Sequence, residues 1–304
     1  MMLSVLIATM NRPDDLRRAL LSLAAQQRLP DEVIVIDQSE DRLSQLACAA
    51  VNAEGPLVSR VRYFHQDVPS LVRARNRGVS IAAGEILSFL DDDVVLEPDY
   101  YSHVLAAFSV DPGIGAIGGS VQNVRFGGVK WRVRQALACL FLLNKWNGRM
   151  TASGFGYPLY HRPITRNTSV DMLHGCNMSV RRSAVDGDWF DDWFTGYSFR
   201  EDAEFSYRVS RRWKVIMIPE ARLDHNESRA NRLSNTERKS MEVHNYAYVW
   251  RKHRGGGLAS RMLFMYSLAG LLLIEWVEAI GKTQKKAATF QSALDAVRTL
   301  RIRA

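Results

Sequence analysis

EILSFLDDDV, residues 85–94, decides how this chain is read. The run from Ile86 to Leu90 is apolar except for Ser88, and it leads directly into Asp91, Asp92 and Asp93. A short apolar run of this kind is a buried strand. Three adjacent carboxylates at its end repel one another, raise one another's pKa and cost energy unless something positive joins them. Two readings answer that cost. A solvated turn or helix N-cap tolerates aspartate, which is common there. A hard divalent cation, Mg2+ or Mn2+, favours carboxylate oxygen and accepts phosphate oxygens in the same shell.

The residues upstream favour the second reading. LSVLIAT (3–9) is a strand, and NRPDDLRRALLSLAAQQ follows with Leu16, Leu20 and Leu23 at helical spacing. EVIVIDQS (32–39) is a continuous apolar strand ending on Asp37, RLSQLACAAV is a helix and VRYFHQD a strand. SLVRARNRGVSIAAG is a helix closed by Gly84, which returns the chain to residue 85. Strand and helix therefore alternate over the first part of the chain, and continuous apolar strands of this type belong to parallel, doubly wound α/β sheets. Ligands in such sheets gather outside the carboxyl ends of the strands. Thr9, Asp37 and the three aspartates all lie at such ends, so they are expected to converge on one crevice.

After residue 100 the pattern loosens. YYSHVLAAF is a helix, GIGAIGGSVQNV a glycine-rich strand and turn, and 151–170 an aromatic loop. LHGCNMSVRRSAV reads as a strand turning into a helix, FREDAEFSYRVSRRW as a helix and KVIMIPEARLDH as a strand running to His225. A basic helix at about 234–254 leads into an apolar run. The expected division is an α/β domain over 1–230, with a first half (1–120) and a second half (121–230), then a partly amphipathic helical extension over 231–304.

Composition sets outer bounds. The 304 residues are 47% hydrophobic and 24% charged, as in a globular protein with a real core, and the net charge is +8. That charge suggests an anionic partner without choosing among nucleic acid, phosphorylated substrate and anionic lipid. Cys48, Cys139 and Cys176 are scattered without metal spacing, which fits a reduced compartment. MMLSVLIATMNRPDD lacks a basic leader region and a small-residue cleavage site, so it reads as a first strand and the expected location is cytoplasmic.

Five stretches in order, SVLIATMNRPDDLRRALLSL, VIVIDQS, ARNRGVSIAAGEILSFLDDDV, GCNMSVRRSAV and REDAEFSYRVSRRWKVIMIPEARLDH, resemble the family 2 glycosyltransferases of GT-A fold. The resemblance covers residues 3–225. It implies a Rossmann-like, mostly parallel central sheet flanked by helices. It also implies inverting transfer of a sugar from a nucleotide-diphosphate donor, dependent on Mn2+ or Mg2+. By the same resemblance Thr9, Arg12, Asp37, Arg75 and Asn76 are nucleotide-side contacts. Asp91 to Asp93 match the DxD region: Asp93 and Asp91 are expected on the metal, and Asp92 near the ribose or the metal. His225 is a third candidate ligand. Gly118 and Gly119 are expected to let the backbone approach donor sugar or acceptor, and Gly175 and Asn177 to line that side.

Glu201-Asp202 matches the family's catalytic base motif, with Asp202 as the base and Glu201 as its understudy. Inversion needs a carboxylate to take the acceptor hydroxyl's proton. The plain alternative is an acidic pair at a helix N-terminus, favoured by the helix dipole. For His225 the plain alternative is a satisfied core or surface histidine, and Cys176 reads as a small packing residue.

Two segments are basic and greasy. Arg125–Arg149 carries six Lys/Arg and no acid, and Met262–Ile274 follows WRKHRGGG and precedes Trp276. The latter is 13 residues long between Arg261 and Glu275, a length suited to a buried helix or an interfacial segment rather than a span. Each is either an ordinary helix with a solvated basic face or an element lying on an anionic membrane. The second option suits a polyprenol-linked or other glycan acceptor at the inner face of the cell membrane. Three rival readings are weaker. A nucleotidyltransferase needs a glycine-rich loop after the first strand, and ATMNRPDD has none. A nucleic-acid binder would not place carboxylates at the strand ends. An inactive relative would not be expected to keep both acidic motifs. SRRWKV (210–215) lacks the Gln of the QxxRW motif found in processive relatives.

Overall fold

The computed structural model describes residues 1–124, 127–161, 163–228, 233–280 and 284–300. The chain divides into two compact units: Met1–Arg125 with Tyr160–Asn231, and Phe126–Leu159 with Arg232–Ala304. Arg125, the 230/231 boundary and the tail beyond Leu300 lie outside the described residues.

The first unit is an α/β sheet. Its parallel half consists of β1 (Leu3–Thr9), β2 (Glu32–Asp37), β3 (Val61–His65) and β4 (Ile86–Asp91), in spatial order β3-β2-β1-β4. Between them run α1 (Pro13–Ala24), α2 (Leu43–Ala53) and α3 (Leu71–Ile81). All six residues of β2 are buried, as expected for a strand covered on both faces. Pro13 opens α1 at a position where its missing N–H costs nothing. Ser70 caps α3 by accepting the Arg73 N–H. The alternation expected from the sequence is present, with one correction. Gly84 does not close α3, which ends at Ile81. Instead a side chain at Gly84 would lie 2.5 Å from Ser4 Oγ, and its N–H donates to that oxygen, so the glycine lets the connection pass close over β1.

β4 ends in a tight turn at Asp92 and Asp93, and β5 (Val94–Leu96) begins at once. The sheet continues from β4 through β8 (Asn177–Arg181), β6 (Ile114–Val121) and β9 (Lys214–His225) to β5 at the far edge. The short β7 (Thr168–Ser169) pairs with β9. β8 is antiparallel to both β4 and β6. The helix expected in RRSAV is only a 3-10 turn over Arg182–Ala184. α4 (Tyr100–Val110) and α6 (Glu201–Ser210) complete the unit. Its core joins Leu3, Val5 and Ile7 of β1 to Leu16 and Leu20 of α1 and to Tyr100, Tyr101 and Phe108 of α4.

The second unit is helical: α5 (Val129–Leu140), α7 (Asn235–His253), α8 (Leu258–Ala279) and α9 (Gln284–Thr299). Ser234 and Glu237 form a reciprocal capping box at the start of α7. Phe155, Tyr246, Trp250, Phe264, Leu268 and Leu271 make its core. The apolar run read from the sequence as 13 residues is the middle of the 22-residue α8, which is long and apolar enough to cross a membrane by length and composition.

Candidate active site

Ladder register aligns the polar strand ends. Thr9 pairs with Asp37, and Ala8 with Asp91. The turn after β4 then gives its three carboxylates three different environments. Asp91 stays a third exposed and meets Arg75 Nη2 at 3.3 Å. Asp92 is buried and accepts from Thr9 Oγ1 at 2.7 Å and Arg12 Nη1 at 3.2 Å. Burial pushes its pKa up to about 7, with Asp93 and Asp91 adding to the rise against Arg12 and Thr9.

Asp93 is buried beside His225, whose Nε2 lies 3.0 Å from its Oδ1, and it accepts the Ser228 N–H at 2.8 Å. Burial disfavours the Asp93 charge, but His225, Ser228 and Arg12 together hold it below the usual carboxylate range. The pairing of β5 with β9 sets Val94 opposite His225, which is why a residue 132 positions away reaches Asp93.

Asp91, Asp93 and His225 each offer a ligand atom, all within 4.8 Å of one another. Two carboxylates and an imidazole form a donor set that could hold a divalent metal ion. The Tyr160 hydroxyl sits 2.7 Å from His225 Nδ1, which orients the ring and leaves Nε2 facing Asp93.

The other acidic motif opens α6. Arg200, just before it, adopts a left-handed conformation with φ 84°, and Glu201 and Asp202 form the first turn. The two acids face different surroundings. Glu201 is buried, and its Oε1 lies 2.7 Å from Arg75 Nη1. Burial and the neighbouring Asp202 push its pKa up to about 8, against Arg75. Asp202 is half-buried: Oδ2 accepts the Gly175 N–H at 2.7 Å and Oδ1 the Ala203 N–H at 2.7 Å. Its remaining lone pairs make it the acid of the pair suited to accept a proton.

Arg75 lies beneath both motifs. It is 5% exposed and binds Glu201, Asp91 and the Gly175 carbonyl, the last at 3.2 Å. Gly175 is a glycine because a Cβ there would stand 2.6 Å from Arg75 Nη2.

Several other site candidates hold the frame. Asn76 exchanges both amide hydrogen bonds with the Phe190 main chain. The space a side chain would need at Gly118 is taken by Leu173, and at Gly119 by Tyr100 and the Ala221 carbonyl. Asn177 is buried and accepts the Gly119 N–H through Oδ1. Asp37 is buried at the end of β2, where Tyr63 and Ser39 donate to its two oxygens. Thus Thr9, Arg12, Asp91 to Asp93, Arg75, Gly175, Glu201, Asp202 and His225 come together. Asn76, Gly118, Gly119 and Asn177 spend their contacts on the protein's own chain.

Sequence reasoning did not single out Tyr160 and His174. Their rings stack with centroids 4.5 Å apart, and His174 Nδ1 lies 3.3 Å from the Cys176 N–H. Burial opposes the charge on His174, but Cys176 and then Asp202 push its pKa up to about 9. Burial likewise opposes ionisation of the Cys176 thiol, which His174 and His225 pull below its usual value. The signal in LHGCN was a histidine beside a glycine turn, and nothing local ties it to Tyr160.

The sequence profile of the family described as Glycosyl transferase family 2 matches residues 4–188, more than half of the chain, and the chain belongs to that family. It is similar to the validoxylamine A glucosyltransferase of Streptomyces hygroscopicus subsp. limoneus, at 35% identity over 108 residues, 35% of this chain and 23% of that one. The first curated relatives are matched over only 23% to 38% of their own lengths. Among solved structures, Staphylococcus aureus TarS (1-349) in complex with UDP-GlcNAc superposes with a TM-score of 0.62, at 15% identity, over 98% of this chain and 81% of that one. The mannosyltransferase PcManGT of Pyrobaculum calidifontis, in complex with GDP-Man and Mn2+, gives 0.59 at 14% identity over 97% and 86%. These likenesses establish the GT-A fold: a mostly parallel sheet flanked by helices, with C-terminal helices.

Proposed function

We propose that this glycosyltransferase is metal-dependent and inverting, moving a hexosyl or deoxyhexosyl group from a nucleotide-diphosphate sugar to a hydroxyl of a glycan or lipid-linked saccharide. The observation that carries the reading is Asp202, half-open, held through Oδ2 by the Gly175 N–H and linked through Gly175 and Arg75 to Asp91 of the acidic cluster. A carboxylate so placed takes the proton of the acceptor hydroxyl while that oxygen attacks the anomeric carbon. The bond from that carbon to the diphosphate breaks, and the nucleoside diphosphate leaves. Asp91, Asp93 and His225 would hold the metal, and Mn2+ or Mg2+ there supplies charge neutralisation to the leaving diphosphate. Thr9 and Arg12 hold Asp92 in place beside it.

Two relatives of the fold support the donor class, since they were solved with UDP-GlcNAc and with GDP-Man and Mn2+. In this reading residues 1–120 serve the nucleotide and 121–230 the acceptor, and the enzyme works in polysaccharide or glycolipid assembly on the cytoplasmic side. The test is a thermal-shift screen of UDP, dTDP, GDP and CDP sugars with and without Mn2+ or Mg2+. A donor that stabilises only with metal supports the reading and names the nucleotide. No shift with any of them counts against the reading and favours an inactive relative, or an enzyme that needs its lipid acceptor or membrane before it binds donor.

A further inference from the structure

The two units differ sharply in charge. The helical unit holds 18 Lys and Arg against 5 Asp and Glu, a net +13, so the sheet unit carries −5 of the chain's +8. The helical unit also leaves long apolar faces uncovered. On α8, Leu258, Met262, Met265, Leu273 and Trp276 are 40–74% exposed. Their spacing of three, four, seven or eight residues puts them on one side of the helix along its whole length, roughly 33 Å. On α5, Val129, Val133 and Leu140 repeat the pattern with Lys130 and Arg132 exposed between them.

The two helices pack together. The Tyr266 hydroxyl donates to the Leu140 carbonyl at 3.0 Å, and Arg134 pairs with Glu278 and, at 3.8 Å, with Glu275. The helices therefore run in opposite directions.

We infer that the α5/α8 face docks this protein onto an anionic lipid bilayer, with α8 lying in the plane of the interface rather than crossing it. The opposite side of α8 decides the orientation. Phe264, Leu268, Leu271 and Ile274 belong to the core of the unit, and buried Glu275 is paired with Lys239 at 3.0 Å. A spanning helix would have to carry that charge into hydrocarbon and strip the core from the rest of the unit. A helix with one apolar side free and cations beside it matches an interfacial element, whose binding combines buried apolar area with attraction to anionic headgroups. A second copy of the chain fits the face less well, because a symmetric contact would bring two units of +13 together. This inference is independent of the chemistry at the strand ends, since it concerns binding and not turnover.

The experiment is flotation of the full chain with phosphatidylcholine vesicles, with and without phosphatidylglycerol, at low and high salt. Wild type is expected to float with the anionic vesicles only, and less at high salt. Met262→Glu combined with Trp276→Glu, both at exposed sites, should lose flotation while keeping the wild-type melting temperature. Lys130→Glu with Arg132→Glu should weaken flotation in the same direction. Wild type left in the soluble fraction with both vesicle types overturns the proposal, as does equal flotation on uncharged vesicles. Size-exclusion chromatography showing a dimer that Met262→Glu splits to monomer would assign the face to self-association instead.

Discussion

Arg75 Nη1 stands 2.7 Å from Glu201 Oε1, joining two residues 126 positions apart in a buried ion pair. The same guanidinium reaches Asp91 and the Gly175 carbonyl, so one side chain underlies both acidic motifs. Removing the guanidinium leaves buried Glu201 without its hydrogen-bond partner and Asp91 and Asp202 without the cation between them. Arg75→Ala is therefore expected to lower unfolding stability by about 3 to 5 kcal/mol. Arg75→Lys should recover part of that loss but not the activity, because an ammonium cannot hold two carboxylates with a planar fork. Chemical denaturation and turnover of the two variants check this, and equal activity in wild type and Arg75→Lys would show that the fork is not needed.

Asp202→Asn can keep the Gly175 N–H contact through its single amide oxygen while giving up the Ala203 one. It should bind donor as wild type does, yet lose transfer by roughly 100- to 10,000-fold, the usual contribution of a general base. Glu201→Gln changes a buried, ion-paired residue instead, so its main effect should fall on stability. Steady-state rates for both, with donor affinity by calorimetry, separate the roles. Wild-type turnover in Asp202→Asn would refute the base assignment.

Tyr160→Phe removes the hydroxyl that faces His225 Nδ1 without altering the stacked ring. Outer-shell partners of a metal-binding histidine typically contribute 10- to 100-fold in affinity, so Mn2+ binding should weaken by about that factor. Asp93→Ala and His225→Ala should weaken it further. Titration calorimetry with Mn2+ gives the order, and unchanged Mn2+ affinity in all three variants would exclude this cluster as the metal site.

Glu32 supplies a pH test remote from the site. Its Oε1 accepts from Ser4 Oγ and the Ala83 N–H, both at 2.6 Å, and its Oε2 faces Arg62 at 2.9 Å. Burial disfavours its charge, but these partners outweigh burial and lower its pKa. A depressed folded-state pKa adds stability that is present above the unfolded pKa and is lost as pH falls through the folded one. Glu32→Gln should thus cost about 1 to 3 kcal/mol at neutral pH. The gap from wild type should close in acid below the ordinary carboxylate range. A gap that persists unchanged below that range as well would argue against the assignment.

The alternation of apolar strands and amphipathic helices over 3–91 was legible in the sequence, because short continuous apolar runs and the 3.6-residue helical period are local properties of sequence. That alternation alone placed Thr9, Asp37 and Asp91 at matching strand ends, as the observed ladder has them. What the carboxylates touch was not legible. Arg75 reads in sequence as a residue facing a ligand, and tertiary packing buries it between Asp91 and Glu201. Gly118 and Gly119 read as room for a ligand, and the room is filled by Leu173, Tyr100 and Ala221. Tyr160 and His225 meet only because β9 pairs with β5 and a loop folds back 65 residues away. The stretch 126–159 joins the C-terminal helices rather than the sheet, and no periodicity within it carries that information. Local pattern determines what each segment is. Contacts between distant segments depend on which surfaces the whole chain buries together, and that was decided only in the folded molecule.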